Sequence, residues 1–472
     1  MNPNGSSHDH AQVWREIDRV EPAKRSASER TADFHEIYSL LDETTVREQA
    51  SRCIQCPQPS CREGCPLANR IPEWLALAAE GRFLEAAEIS QATSNMPEIC
   101  SRVCPQEKLC EGSCILVGHA EPICIGAIEK FINEYAFAHC CDVPQVAVPN
   151  GFCVAVVGSG PGGLACADEL AKLGYAVTVF ESQSQPGGLL LNGIPGFKLD
   201  KCVVERRVNI LQRRGVTFRT GVTVGAQVTL GELRKDFHAV FLGVGAQQAK
   251  PLDIPGAELR GVQAALPFLI QRNSPMPLDL PVIDVAGKRV VVFGGGDTAM
   301  DCLRTAIRAG ATEAVCVYRR DLANMPGSRK EYYNAIEEGA QFLFLTNPVA
   351  LAAAANGGVT GVRCTKMELG EPDFSGRRKP RVVPGSEFTI AADLVLVAYG
   401  FDPVPFPAGS DFSEVAVNDW GAIRVDENQM TSLGGVYAGG DSVRGASLVV
   451  HAVRDGRKAA LGIHRQLQAP RK

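Results

Sequence analysis

A helical, cysteine-rich first domain followed by two α/β units of strand–turn–helix type is the architecture this sequence predicts. Three observations predict it. Eleven of the 17 cysteines lie between Cys53 and Cys141. A β-branched run, CVAVVG from Cys153, leads into a glycine-rich turn and a small-residue helix, and the same order recurs in KRVVVFGGGDTAMDC from Lys288. The chain of 472 residues is long enough for two to four domains. With 45% apolar and 21% charged residues it has the composition of an ordinary globular protein. A formal net charge of -5, with lysine and arginine scattered among acids, argues against a nucleic-acid partner. The first residues are polar, and no run approaches the roughly 20 apolar residues that span a bilayer. A cytoplasmic protein with no membrane partner is expected. Disulfides do not persist in that compartment, so the cysteine cluster needs another explanation.

The first domain is expected over residues 1–145. Apolar residues recur at helical spacing in IPEWLALAAEGRFLEAAEIS and in AIEKFINEYAFAHC, with the cysteine stretches as loops between. Cys53, Cys56, Cys61 and Cys65 form C-x2-C-x4-C-x3-C; Cys100, Cys104, Cys110 and Cys114 form C-x3-C-x5-C-x3-C. Prolines follow Cys56, Cys65 and Cys104. Four-thiolate sets of this kind hold zinc or a [4Fe-4S] cluster, and Cys-Pro pairs belong to ferredoxin-like runs. Eight of the remaining nine, Cys140, Cys141, Cys153, Cys166, Cys202, Cys302, Cys316 and Cys364, are assigned to packing.

A linker, CDVPQVAVPNG, leads to the first α/β unit, expected over 146–246 and completed by 401–472. Gly158, Gly160 and Gly163 satisfy G-x-G-x-x-G between a strand and a helix. The first glycine permits the tight turn, the second lets backbone approach a pyrophosphate, and the third lets helix and strand pack closely. The next strand, YAVTVFES, ends at Glu181, placed to accept hydrogen bonds from a ribose. Strand, triad, helix, strand and terminal acid in register make a Rossmann dinucleotide site. Three later segments favour FAD over NAD: Gly187, Gly188 and Leu189 after the acid, VFLGVGA with Gly243 and Gly245, and Asp441 after VYAGG. Together these resemble the flavoproteins with two dinucleotide domains of the glutathione reductase type. A helix starting near Ala446 is expected to aim its N-terminus at the flavin's pyrimidine end.

The second unit is expected over 247–400. Gly294, Gly296 and Ala299 fit the G-x-G-x-x-A variant, with Asp297 and Thr298 entering the helix. Its second strand, EAVCVYRRD, ends in Tyr318, Arg319 and Arg320 where the first unit has an acid. An arginine there pairs with a 2′-phosphate, so NADPH is predicted over NADH, with either arginine as the clamp. A hydride donor and a flavin give the cysteines a purpose that zinc does not. NADPH delivers electrons in pairs, clusters accept them singly, and flavin converts between the two. No C-x4-C redox pair adjoins the flavin segments, which disfavours a disulfide reductase.

These motifs in this order resemble the small (β) subunits of bacterial NADPH-dependent glutamate synthases, and the N-terminal part of dihydropyrimidine dehydrogenase is built similarly. The family-like stretches include MPEICSRVCPQEKLCEGSC, GIPGFKL, VVVFGGGDTAMDC, YRRDLANMPGSRKE and AGGDSVRGASLVVHAV. The last of these adds Gly440, Ser447 and Leu448 to the expected FAD contacts. The resemblance implies two [4Fe-4S] clusters with crossed ligands: Cys53, Cys56, Cys61 and Cys114 for one; Cys65, Cys104 and Cys110 with Glu129 for the other. Cys100 is then a packing residue or an alternative ligand. It also implies a large (α) partner subunit, which supplies the glutaminase and FMN sites that make glutamate from glutamine and 2-oxoglutarate. The alternative is a self-standing or bifurcating NADPH:ferredoxin-type oxidoreductase with another partner.

Overall fold

The computed structural model describes residues 12–139, 146–274, 282–372, 378–406 and 409–469. Its first region is helical: α1 (Ala27–Thr31), α2 (Glu43–Ser51), α3 (Ser60–Gly64), α4 (Ile71–Ala79), α5 (Phe83–Thr93), α6 (Pro97–Val103) and α7 (Ile125–His139). The helical pattern of IPEWLALAAEGRFLEAAEIS is divided between α4 and α5 because Gly81 takes φ +80°, a left-handed conformation that stops the helix. Trp74, Leu75, Phe83, Ile128 and Ile132 form the core of this region, and Cys53, Cys61, Cys65, Cys110 and Cys114 pack at its margin.

Strands and helices then alternate through β1 (Cys153–Val157), α8 (Pro161–Lys172), β2 (Ala176–Glu181), α9 (Leu189–Asn192), α10 (Lys201–Arg213), β3 (Thr217–Thr220), α11 (Leu230–Asp236) and β4 (Ala239–Leu242). After the short β5 (Gln248–Ala249) come β6 (Val262–Ala264), α12 (Ala265–Asn273), β7 (Arg289–Phe293), α13 (Asp297–Arg308), β8 (Glu313–Val317), α14 (Arg329–Glu337) and β9 (Gln341–Leu343). An antiparallel group comes next: β10 (Thr346–Ala353), β11 (Val359–Pro372), β12 (Arg378–Val382) and β13 (Phe388–Ala391). The chain ends with β14 (Leu394–Val397), β15 (Phe401–Asp402), β16 (Val436–Ala438), α15 (Asp441–Arg444) and α16 (Val449–Gln468).

Two parallel sheets result, with strand orders β16-β4-β1-β2-β3 and β6-β14-β7-β8-β9. In each, the strand before the glycine turn is central and buried on both faces, which is why CVAVV and RVVVF read as unbroken apolar runs. Strand order reverses beside β1 and beside β7, so each glycine turn stands at the crevice where α/β sheets take ligands. The chain passes between the sheets twice, and the crossing strands β5 and β15 pair antiparallel.

The helical region is joined firmly to the first sheet. Met96, which caps α6, and Ile99 and Cys100 of that helix share one buried core with Val154, Val156 and Leu164. Glu98 on α6 takes two hydrogen bonds of 2.8 Å from Arg207 on α10, both residues buried. Such a paired, fully bonded ion pair orients the two elements more than it stabilises them. Among the described residues, no helix is long and apolar enough to cross a membrane.

Candidate functional site

The turn after β1 is closed by glycines for three different reasons. Gly158 has φ +91°, and a Cβ there would stand 2.5 Å from the carbonyl oxygen of Gly243. A Cβ on Gly163 would stand 1.9 Å from the carbonyl oxygen of Gly158. At Gly160 a Cβ would meet nothing within 4 Å, which leaves the backbone open at the N-terminus of α8, where a pyrophosphate would rest. Gly188, at φ +55°, packs its Cα side against Gly160, so the Gly187-Gly188-Leu189 segment adjoins the same turn.

Glu181 closes β2 and is buried. Its carboxylate accepts from the Ser159 amide at 3.0 Å, from the Ser159 hydroxyl at 2.5 Å and from the Gln183 amide at 2.8 Å. Ser159 also accepts from the Gly187 amide at 2.9 Å, and thereby ties together the glycine turn, the end of β2 and the Gly187 segment. Ser159 is silent in the sequence, because a serine between two glycines carries no signal until its partners are known. Gly245 has φ +76° in the segment after β4.

Asp441 opens α15 behind Gly440, which has φ +75°. Burial pushes its carboxyl up to about 7, partly offset by the Ser447 amide and the nearby Arg444. A carboxyl held in this way gains from hydroxyl donors such as a ribityl chain. Asp455, another residue that the sequence did not flag, positions the segment: it accepts from the Gly440 amide at 3.1 Å and pairs with Arg444. The expected helix starts at Val449, with Leu448 as N-cap, rather than near Ala446, because Gly445 at φ +80° interrupts the chain between α15 and α16. Ser447 lies just ahead of that N-terminus, its hydroxyl 2.9 Å from His451 Nδ1.

The second turn repeats the first with one methyl more. Gly294 has φ +128° and lies against the Ala398 carbonyl, Gly296 is open on its Cβ side, and Ala299 is buried in the third position. Asp297 accepts from the Ser328 amide at 2.9 Å, and Thr298 follows it in the first turn of α13. Arg319 and Arg320 follow β8 in different environments. Arg320 is buried and donates to the Arg378 carbonyl at 2.9 Å, whereas Arg319 is exposed. Lys198, from GIPGFKL, crosses to Asp301 on α13 at 3.0 Å and fixes the two units to each other. Burial pushes the Asp301 carboxyl up to about 6, with Lys198 opposing.

The cysteines divide between two cavities, and the division crosses the sequence motifs. Cys53, Cys56, Cys61 and Cys114 line one, together with Ile54 and Leu116. Cys65, Cys100, Cys104, Cys110 and Glu129 line the other. Val450, two residues beyond Leu448, forms part of the second wall, so that cavity abuts the N-terminus of α16. The thiols surround each space and do not close on a point: among the described residues, no three Cys, His, Asp or Glu side chains converge to hold a single ion. Burial pushes the Cys53 and Cys65 thiols up to about 11 and the Cys61 thiol up to about 12. Thiolates there need a cation, which iron would supply. Glu129 accepts from Asn69 and from Ser90, each at 3.0 Å, and burial pushes its carboxyl up to about 7. Of the cysteines assigned to packing, Cys166, Cys302, Cys316 and Cys364 are buried. Cys202 is exposed, because it occupies the outer face of amphipathic α10, and Cys153 is half-buried with its sulfur 3.3 Å from His238 Nδ1. Cys140 and Cys141 lie outside the described residues.

Residues 30–141 match the family model described as dihydropyrimidine dehydrogenase domain II, 4Fe-4S cluster, and residues 152–456 match pyridine nucleotide-disulphide oxidoreductase. The chain is 47% identical to a glutamate synthase [NADPH] small chain of Azospirillum brasilense, over 95% of this chain and 94% of that one. It is 45% identical to the Escherichia coli K12 glutamate synthase [NADPH] small chain, over 96% and 98%. The chain belongs to the glutamate synthase small-chain family. It is therefore an oxidoreductase in which an iron–sulfur domain precedes a pyridine-nucleotide flavoprotein fold. Members of that fold class include Mycobacterium tuberculosis FprA in complex with NADPH, which superposes with a TM-score of 0.56 at 23% identity over 67% of this chain and 84% of that one. A further relative of the small-chain family, E. coli AegA, bears an oxidoreductase name; it is 45% identical over 94% of this chain, which spans 69% of its length.

Proposed function

We propose that this chain is the electron-input subunit of a glutamate synthase. It takes hydride from NADPH and passes electrons to a large subunit that makes glutamate from glutamine and 2-oxoglutarate. The observation that carries the reading is the adjacency of the second cysteine cavity to the N-terminus of α16: Val450 serves both. Bound FAD would supply the conversion of an electron pair into single electrons. Gly160 and the α8 N-terminus hold its pyrophosphate, Glu181 its ribose and Asp441 its ribityl chain. The α16 N-terminus, at Ser447 and Leu448, favours negative charge at the pyrimidine end. In the second unit Gly296 and the α13 N-terminus take the NADPH pyrophosphate, and exposed Arg319 clamps the 2′-phosphate while Arg320 is held by the Arg378 carbonyl.

For the cysteines, the crossed assignment is the one the geometry supports. Cys53, Cys56, Cys61 and Cys114 ligate one [4Fe-4S] cluster; Cys65, Cys104, Cys110 and Glu129 ligate the other, with Cys100 packed beside it on α6. Cys104→Ser should lose about half of the iron, because a hydroxyl is a poor substitute for thiolate, whereas Cys100→Ser should keep all of it. Glu129→Ala should shift the potential of the cluster served by Cys104. Iron analysis and low-temperature paramagnetic resonance of the reduced variants decide this. Loss of a cluster from Cys100→Ser together with no change in Glu129→Ala would make Cys100, and not Glu129, the fourth ligand beside Cys65, Cys104 and Cys110.

The partner is tested by coexpression with the large subunit. NADPH oxidation should then depend on both glutamine and 2-oxoglutarate and yield glutamate stoichiometrically. The identity to AegA is as high as that to the E. coli small chain. An NADPH oxidation that ignores glutamine but reduces a ferredoxin would therefore move the chain to the other branch.

A further inference from the structure

Three hydrogen bonds connect the loop that carries two cluster cysteines with the loop that braces the second glycine turn. Lys108 Nζ, between Cys104 and Cys110, donates to the carbonyl of Pro326 and, at 2.8 Å, to that of Gly327. Glu107 accepts from the Arg329 amide at 3.0 Å. Arg329 is the first residue of α14, so Glu107 places a carboxylate at a helix N-terminus that belongs to a different unit. Partners more than 200 residues apart in the chain cannot owe these contacts to local turn chemistry.

The Pro326–Arg329 loop in turn braces the NADPH turn. The Gly327 amide donates to the Gly295 carbonyl at 2.9 Å, and the Ser328 amide donates to Asp297 at 2.9 Å. A Cβ on Gly327 would lie 3.0 Å from the Gly295 oxygen and 3.3 Å from the Gly296 carbonyl carbon, so the loop rests directly on the turn. On the other side, the cysteine loop is stiff. The Gln106 carbonyl accepts from the amides of Leu109, Glu111 and Gly112 at 3.0–3.1 Å, and a Cβ on Gly112 would lie 2.1 Å from the Glu107 carbonyl oxygen. A stiff cysteine loop therefore holds, from the other side, the loop that rests on this turn.

We infer that Glu107 and Lys108 are positioning residues for the nicotinamide nucleotide, setting the turn at Gly294–Asp297 from the iron–sulfur domain. This rests on the reading of that turn as the NADPH site. Because coupling between sites is reciprocal, nucleotide bound at the turn also tightens the Cys104–Cys110 loop. The test uses the intact, cofactor-loaded protein. NADP+ affinity, measured by titration calorimetry, should fall roughly tenfold in Glu107→Ala/Lys108→Met, with iron and FAD content unchanged. Lys108→Arg, which keeps the donor, should restore most of the affinity lost on Lys108→Met. In the large-subunit complex the KM for NADPH should rise while kcat holds.

Hydrogen exchange of the wild-type protein gives a second measurement that needs no variant. Adding NADP+ should slow exchange in residues 105–112. Unchanged NADP+ affinity in the double variant, or unchanged exchange in this loop, overturns the inference. Arg319→Glu separates this failure from that of the underlying site. If Arg319→Glu weakens NADP+ and the double variant does not, only the positioning role falls; if neither weakens it, the site assignment falls as well.

Discussion

The two glycine turns of this chain share a backbone and differ in three side-chain choices. Both stand at the end of a central parallel strand, both open a helix N-terminus, and both leave their second glycine, Gly160 or Gly296, with nothing in the Cβ direction. They differ in the third position, glycine against alanine; in the group closing the next strand, Glu181 against Arg319; and in what braces them. The first turn is tied internally, through Ser159 to Glu181 and Gly187. The second is tied through Asp297 and Gly295 to a loop that the iron–sulfur domain holds. The backbone is thus common to both turns, and the difference between them lies in a few side chains.

The third position should show the largest effect. Gly163→Ala places a Cβ 1.9 Å from the Gly158 carbonyl oxygen, which no rotamer relieves. It should cost about 3 kcal/mol of stability and expel FAD, whereas Ala299→Gly should cost about 1 kcal/mol and leave NADP+ binding intact. Thermal melts and flavin content after gel filtration compare the two. If both substitutions are equally mild, the turns are not closed by the contacts described.

At the strand ends, Arg319→Glu should weaken NADPH by about 1.5–3 kcal/mol, roughly tenfold to over a hundredfold, and spare NADH. Equal loss for both nucleotides in steady-state kinetics would show that Arg319 does not read the 2′-phosphate.

A separate effect, one of slope, should appear in the pH dependence of the FAD-free protein. Burial raises the Asp441 carboxyl to about 7, whereas an unfolded aspartate titrates near 3.9. Between those values the folded state holds a proton that the unfolded chain has released, so stability falls as pH rises from about 4 to about 7, by up to a few kcal/mol. Asp441→Asn carries no charge at any pH and should flatten that slope in denaturant titrations. An unchanged slope would assign the pH dependence to another group.

Much of this molecule is written in local sequence. The order of strand, glycine turn and helix is readable because β-branched runs buried on both faces and glycines at tight turns are requirements of a few consecutive residues. The contrast of Glu181 with Arg319 is legible for the same reason, since each lies at a fixed distance from its turn. Other features needed tertiary contacts. Ser159 acquires its role only from Glu181 and Gly187, 22 and 28 residues away. Arg319 and Arg320 are equivalent in sequence and are distinguished only where β12 brings the Arg378 carbonyl to Arg320. Cys202 fits an apolar pattern and yet faces outward, because the packed face of α10 is set by Val203, Val204 and Arg207.

The cysteine spacing alone announces ligands for a metal or cluster, because only a thiolate-binding centre gives two such runs a purpose in one helical region. Which thiols share a cavity is not encoded in that spacing. The two runs are separated by α4 and α5, and it is the packing of those helices with α6 that brings Cys65 beside Cys104 and Cys114 beside Cys53. The same packing sets the second cavity against α16, more than 300 residues further along the chain. Local chemistry thus determined which groups are present, and burial of apolar surface between distant helices decided which of them meet.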